Sequence, residues 1–190
     1  MIEKILNKIR RIQNFIFSQI IKTSFKAVGK NFFVEYPLRA VGGSHITLGD
    51  NFCSFGRLRL EAHDFHNGFR FSPQIIIGDN VSLNYDCHIG CINKITIGNN
   101  VLIASRVTIL DHFHGEINIE ALNIPPSQRE IISKGPVIIE DNVWIGEGVA
   151  IMPDITIGKN SIIGANAVVT KSFPPNSIIG GIPAKIIKQL

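Results

Sequence analysis

Histidine is where chemistry first becomes legible in this chain of 190 residues. Of its six histidines, His112 and His114 stand in Asp-His-Phe-His-Gly at 111–115. His63 and His66 fall in a polar segment with Asp64, Arg57 and Arg70 nearby, and His88 lies in an otherwise apolar run. An imidazole titrates near neutrality, so it can take a proton from a hydroxyl or an amine at physiological pH, and its neutral form is also a common metal ligand. Asp111 stands next to His112, where a carboxylate can orient or charge-stabilise the ring. Cys53, Cys87 and Cys91 are an odd set without a CxxC pair. They imply neither a disulfide framework nor a zinc knuckle and fit a reducing, cytoplasmic setting.

The elements that must position these groups follow from an internal period, which is six residues. From Ile139 the chain reads IEDNVW, IGEGVA, IMPDIT, IGKNSI, IGANAV and VTKSFP, with an aliphatic residue first and a small or aliphatic residue fifth. The template recurs from Ile77 and from Ile97, with weaker copies from Val28 and Leu48. A helical period fails here, and Gly-Asp-Asn or Gly-Lys-Asn at fixed offsets rules out one continuous strand, because such residues favour turns. The pattern predicts a three-sided solenoid whose first-position Ile, Val and Leu stack inward, three hexads or 18 residues to a coil. Ile139 to Ile157 is 18 residues; Val28 to Leu48 and Ile77 to Ile97 are each 20. Two spacings are far longer: Leu48 to Ile77 is 29 and Ile97 to Ile139 is 42. Loops must therefore leave the solenoid at 62–74 and 111–136, and long loops on a rigid scaffold commonly carry function. Between them they hold His63, His66, His112 and His114.

With 45% apolar content, the chain has enough core material for one compact domain, expected at 28–190. Residues 1–27 read separately. Ile2, Ile5, Ile9, Ile12, Ile16 and Ile20 recur at spacings of three or four, which is an amphipathic helix. Residues 1–30 hold seven Lys/Arg against Glu3 alone, whereas the rest of the chain has 12 basic and 14 acidic residues. The net charge of +4 is thus local, and a body without a basic stripe argues against nucleic acid as a partner. The helix is expected to pack on the end of the solenoid and cover an open sheet edge. Its alternative is contact of residues 1–22 with the inner face of a membrane. No apolar run is long enough to span a bilayer, and the polar residues Gln13, Asn14, Ser18 and Gln19 interrupt what would be a signal peptide.

GPVIIEDNVWIGEGVAIMPDITIG at 135–158, GANAVVTKSFPPNSIIGGIPAKII at 164–187 and the DHFHG opening resemble the hexapeptide-repeat acyltransferases, the family of galactoside, maltose, xenobiotic and polysaccharide acetyltransferases. The resemblance covers Val28 to Leu190. It implies an all-β, left-handed parallel β-helix, a homotrimer with active sites between subunits, and acetyl-coenzyme A as co-substrate with no metal required. It further implies a histidine base at the loop exit. Both His112 and His114 qualify, and the galactoside-type spacing favours His114. On the same resemblance Trp144 walls the acceptor or pantetheine site, Gly146, Glu147, Gly164 and Ala165 line the pantetheine arm, and Thr170, Lys171 and Lys185 meet the nucleotide end. Asn84 and Tyr85, with Asp86 or His88 beside them, contact the acceptor, and Asp111 supports the imidazole. The acceptor implied is a sugar or glycan-precursor hydroxyl. Three other readings stand beside it: transfer to an amino-sugar nitrogen, a zinc-dependent hydratase using His88, His112 and His114, and a non-catalytic assembly protein.

Overall fold

The computed structural model describes residues 2–116 and 118–190; Met1 of the N-terminal segment and Ile117 of the 111–136 loop lie outside the described residues. Short strands, most of two to four residues, fall into three sheets that the chain visits in rotation. The first sheet stacks Ala27–Val28, Ile46–Leu48, Gln74–Ile77, Lys94–Ile97, Val137–Ile139 and Ile155–Ile157, all parallel. The second runs from Phe33–Val34 through Trp144–Ile145 and Ile162–Ile163 to Ser177–Gly180, and Lys185–Gln189 folds back antiparallel to close it. The third contains Leu38–Val41, Leu58–Ala62, His88–Cys91, Thr108–Leu110, Ala150–Ile151 and Val168–Val169. This is a parallel β-helix.

The register confirms the hexad spacing residue for residue. Leu48 pairs with Ile77, Ile77 with Ile97, Ile97 with Ile139 and Ile139 with Ile157, across the 29, 20, 42 and 18 residues expected. All five side chains are at most 2% exposed, so each isoleucine or leucine packs on its counterpart one coil away. Full burial of such a side chain is worth about 1.5–3 kcal/mol, and truncating Ile97 to alanine would cost about 2–5 kcal/mol because neighbouring coils cannot collapse into the gap.

Asparagine turns the corner between the first and second sheets. Asn31, Asn51, Asn80, Asn100, Asn142, Asn160 and Asn176 all have φ between 55° and 61°, a left-handed conformation that asparagine tolerates better than most residues. Each side-chain amide of the first six donates to the Oδ1 of the next, at 2.7 to 3.1 Å. The result is an unbroken ladder along the solenoid.

The N-terminal helix, Ile2–Lys22, sits against the edge strand Phe33–Val34, as an edge cover should. Its contact face is not the apolar stripe, however. Asn14 and Ser18 are the buried helix residues, with Phe17 and Ile21 partly buried against the core. Ser18 Oγ accepts the Val34 N–H at 3.0 Å, and Asn14 Oδ1 accepts the Tyr36 N–H at 3.2 Å. These bonds satisfy edge groups that would otherwise be unpaired. Ile2, Ile5, Ile9, Ile12, Ile16 and Ile20 remain exposed. The helix therefore meets the edge through polar side chains while its apolar stripe faces away from the solenoid: periodicity identifies an apolar face but not what it meets. No helix among the described residues is long and apolar enough to cross a membrane.

Candidate active site

Both excursions leave from the same corner, at the ends of third-sheet strands that flank His88–Cys91 on either side. The first forms an antiparallel hairpin, Phe65–His66 with Phe69–Arg70. In the second, Phe113–His114 pairs antiparallel with Ile131–Ile132 around a short helix, Ile119–Leu122. They meet: Asn67 Nδ2 donates to the Ser127 carbonyl at 2.7 Å, and the rings of His66 and His114 lie edge to face at 6.1 Å.

Within this corner His112 and His114 differ sharply. Asp111 is fully buried, and its carboxylate accepts the backbone N–H of Ile92 at 2.9 Å and of Asn93 at 2.8 Å, and the Cys91 thiol at 3.1 Å. The remaining partner is His112 Nδ1, 3.0 Å from Oδ1. Burial alone would raise the Asp111 pKa, but the bonds from His112, Ile92, Cys91 and Asn93 outweigh it and hold the carboxyl below its ordinary value. An ionised Asp111 with an acceptor oxygen on Nδ1 requires a proton there, so the neutral ring of His112 has Nε2 as its acceptor nitrogen. His114 is exposed, and among the described residues its ring makes no hydrogen bond. Its pKa is lowered by burial of part of the ring and by repulsion from His112 and His66.

A second carboxylate–imidazole group adjoins the first. Glu61 is only 2% exposed; its Oε1 accepts from Arg39 Nε at 2.6 Å and its Oε2 from Arg59 at 2.9 Å, and His88 Nε2 is 3.2 Å from the same Oε2. Burial would raise Glu61, but the arginine hydrogen bonds dominate and lower it. His88 and His63 are both pushed below the ordinary imidazole value, chiefly by desolvation. Gly90 brings the two groups together. A Cβ there would come within 2.8 Å of Leu110, 3.2 Å of His88 Nε2 and 3.5 Å of His112 Cε1. The sequence reading did not single out Glu61. The available signal was an acid in an apolar strand with Arg59 and His63 two residues to either side, hence on one face.

The other expected residues occupy neighbouring positions on the solenoid. Thr170 and Lys171 follow the third-sheet strand Val168–Val169, two rungs beyond Thr108–Leu110 and at the same corner as His112, and both are exposed. Asn84 and Tyr85, Gly146 and Glu147, and Gly164 and Ala165 line up at the opposite end of the third sheet, where the second sheet turns into it. Asn84 Nδ2 donates to the Ile103 carbonyl at 3.1 Å, and Tyr85 stacks on Phe55. Gly146 is buried, and a Cβ on it would lie 2.7 Å from the Ala165 nitrogen, so its part is to let two rungs close. Glu147 binds Arg106 at 2.6 Å. Trp144 is 51% exposed on the outer face of the second sheet, and Lys185 is exposed on the closing strand. Within one chain, the imidazole corner and the Asn84–Ala165 corner remain separate.

Comparison with known proteins interprets this arrangement. Residues 136–171 match the family model described as bacterial transferase hexapeptide, six repeats. A putative lipopolysaccharide biosynthesis O-acetyl transferase, WbbJ, from Escherichia coli K12 is 41% identical over 160 residues, covering 82% of this chain and 78% of the relative. The chain belongs to the hexapeptide-repeat acyltransferases. A solved galactoside acetyltransferase of the family, in complex with coenzyme A, superimposes with a TM-score of 0.57 at 33% identity over 90% of this chain and 68% of that one. AntD, an N-acyltransferase from Bacillus cereus, has a TM-score of 0.73 over 90% of this chain and 87% of its own, but at 22% identity the likeness carries the fold alone. In a hexapeptide-repeat acyltransferase the stacked coils are common property. The histidine corner at 61–66, 88–90 and 111–114 is where the chain gathers buried carboxylates and imidazoles.

Proposed function

We propose that this chain is a homotrimeric O-acetyltransferase with a left-handed coil, moving the acetyl group of acetyl-coenzyme A onto a hydroxyl of a sugar or glycan precursor, with His112 as general base. The observation that carries the reading is the Asp111–His112 pair: a buried carboxylate, held in its ionised form, lies 3.0 Å from Nδ1, so that Nε2 is the acceptor nitrogen of the neutral ring. This favours His112 over His114, the reverse of what loop spacing suggests. When bound, acetyl-coenzyme A supplies a thioester carbonyl. His112 Nε2 takes the hydroxyl proton as the acceptor oxygen bonds to the carbonyl carbon, Asp111 stabilises the imidazolium, and the proton passes to sulfur as the carbon–sulfur bond breaks. His88, bonded to Glu61 beside Gly90, is the residue we assign to the acceptor.

The donor is supported by the relative solved with coenzyme A and by features of this chain. Trp144 offers an exposed apolar wall, Gly164 and Ala165 leave the adjoining corner without bulk, and Lys171 and Lys185 provide cations for phosphates. Because that corner and the imidazole corner are apart within one chain, a neighbouring subunit would have to join them, which supports the trimer. The relative named for lipopolysaccharide biosynthesis supports a glycan acceptor.

The test is thiol release from acetyl-coenzyme A with free sugars, nucleotide-sugars and oligosaccharides as acceptors. The expected product is an acetyl ester cleaved by hydroxylamine. A hydroxylamine-resistant amide would contradict O-transfer, and turnover that required stoichiometric zinc would contradict the His112 mechanism.

A further inference from the structure

The N-terminal helix is amphipathic in the opposite sense from a docked helix. Its polar residues Asn14 and Ser18 are buried against the solenoid, while the aliphatic stripe faces away. Ile5 is 53% exposed, Ile16 52% and Ile20 66%, and Ile2–Gln13 touches the body so little that every residue in it is exposed. A soluble surface seldom keeps such a continuous apolar stripe without a use for it. The charges say what would cover it. Lys8 lies beside the stripe at helical spacing, and Lys4, Arg10 and Arg11 lie farther round the helix, all exposed, with Glu3 as the one acid of the helix. Stacking this face on the same face of a second copy would add a helix of the same net charge and supply only Glu3 as an anion for these cations. An anionic lipid surface instead takes the aliphatic stripe into its acyl boundary and neutralises the cations on the polar side of the helix. Contact through Asn14 and Ser18 leaves the helix free to lie in that surface without leaving the edge strand.

We infer that Ile2–Lys22 is a peripheral anchor that holds the solenoid on an anionic bilayer surface. The acyl-transfer corner then works beside the membrane, where a lipid-linked acceptor would be presented, but the anchor itself does not depend on that activity.

The experiment is co-sedimentation of the full chain with vesicles of phosphatidylcholine, alone and mixed with phosphatidylglycerol, with oligomeric mass measured by light scattering. Binding is expected to the mixed vesicles and to weaken with salt. Combined Lys4→Ala, Lys8→Ala and Arg11→Ala should weaken it by roughly a hundredfold. Ile9→Asp should weaken it at least about tenfold while circular dichroism, oligomeric mass and thiol release stay unchanged. Equal sedimentation with both vesicle types, or none with either, would overturn the proposal. So would an Ile9→Asp chain with reduced oligomeric mass, since the stripe would then be buried against another copy. Failure of acetyl transfer with vesicle binding intact would count against the proposed activity only.

Discussion

Two corners of the same solenoid obey different rules. Where the first sheet turns into the second, the residue on each of seven rungs is asparagine, in nearly the same backbone conformation, and six side-chain bonds link them in series. Where the third sheet ends, Ala62–His63, Ile92, Asp111–His112 and Thr170 follow one another with no shared type, and two excursions leave. The asparagine corner has its identities dictated by left-handed backbone and by neighbours in the stack. The other corner is free of that constraint, and there the chain buries Glu61 and Asp111, the two fully buried carboxylates of the described residues. Repetition supplies stability, and chemistry collects where repetition stops.

Substitutions at the two corners should therefore separate activity from stability. His112→Ala is expected to reduce acetyl transfer by about 10²–10⁴-fold, the usual worth of a positioned general base, while the melting temperature holds; a loss of less than tenfold would erase the distinction. Asp111→Asn should lower the rate by on the order of 10²-fold by releasing the ring from its tautomer, and it also disturbs the acceptor of the Ile92 and Asn93 amides. At the asparagine corner the effects invert. Asn100→Ala breaks bonds to both neighbouring rungs and forces alanine into φ 57°, which should cost about 1–3 kcal/mol in denaturant unfolding with kcat/KM unchanged. His114→Ala, at the rim of the broken corner, should change the rate by less than about fivefold, since no carboxylate among the described residues supports its ring.

Acid offers a further way to sharpen the contrast. Asp111 and Glu61 both have pKa values lowered in the folded chain, so each binds its proton more weakly than when unfolded. Their stabilisation is complete above the ordinary carboxylate range, about pH 4, and is lost as the pH falls through their folded values. Urea midpoints measured downward from pH 7 should stay level and then drop below about pH 4, with a shallower drop in Asp111→Asn; an unchanged acid profile in that variant would mean the carboxyl is not held as described.

How far the sequence reaches follows the same division. The coil register was legible because each inward aliphatic residue repeats at a countable distance, and the excess in the two long spacings placed both excursions. Glu61 was not legible, because its partners Arg39 and His88 lie 22 and 27 residues away and become neighbours only through sheet register. The choice between His112 and His114 was equally hidden. Both sit at the loop exit, and what separates them is a carboxylate anchored by the amides of Ile92 and Asn93, one coil earlier. The helix was found by its period, but Asn14 and Ser18 find partners only on an edge strand that the period does not describe.

If Asp111 fixes His112 with its reacting nitrogen free, the tautomer of that ring is the quantity to measure. Long-range proton–nitrogen NMR on the imidazoles at pH 8, assigned with His112→Ala, should show the neutral His112 ring protonated on Nδ1, with that preference lost in Asp111→Asn. A ring protonated on Nε2, or one whose tautomer ignores the Asp111 substitution, would contradict the assignment of His112 as the base.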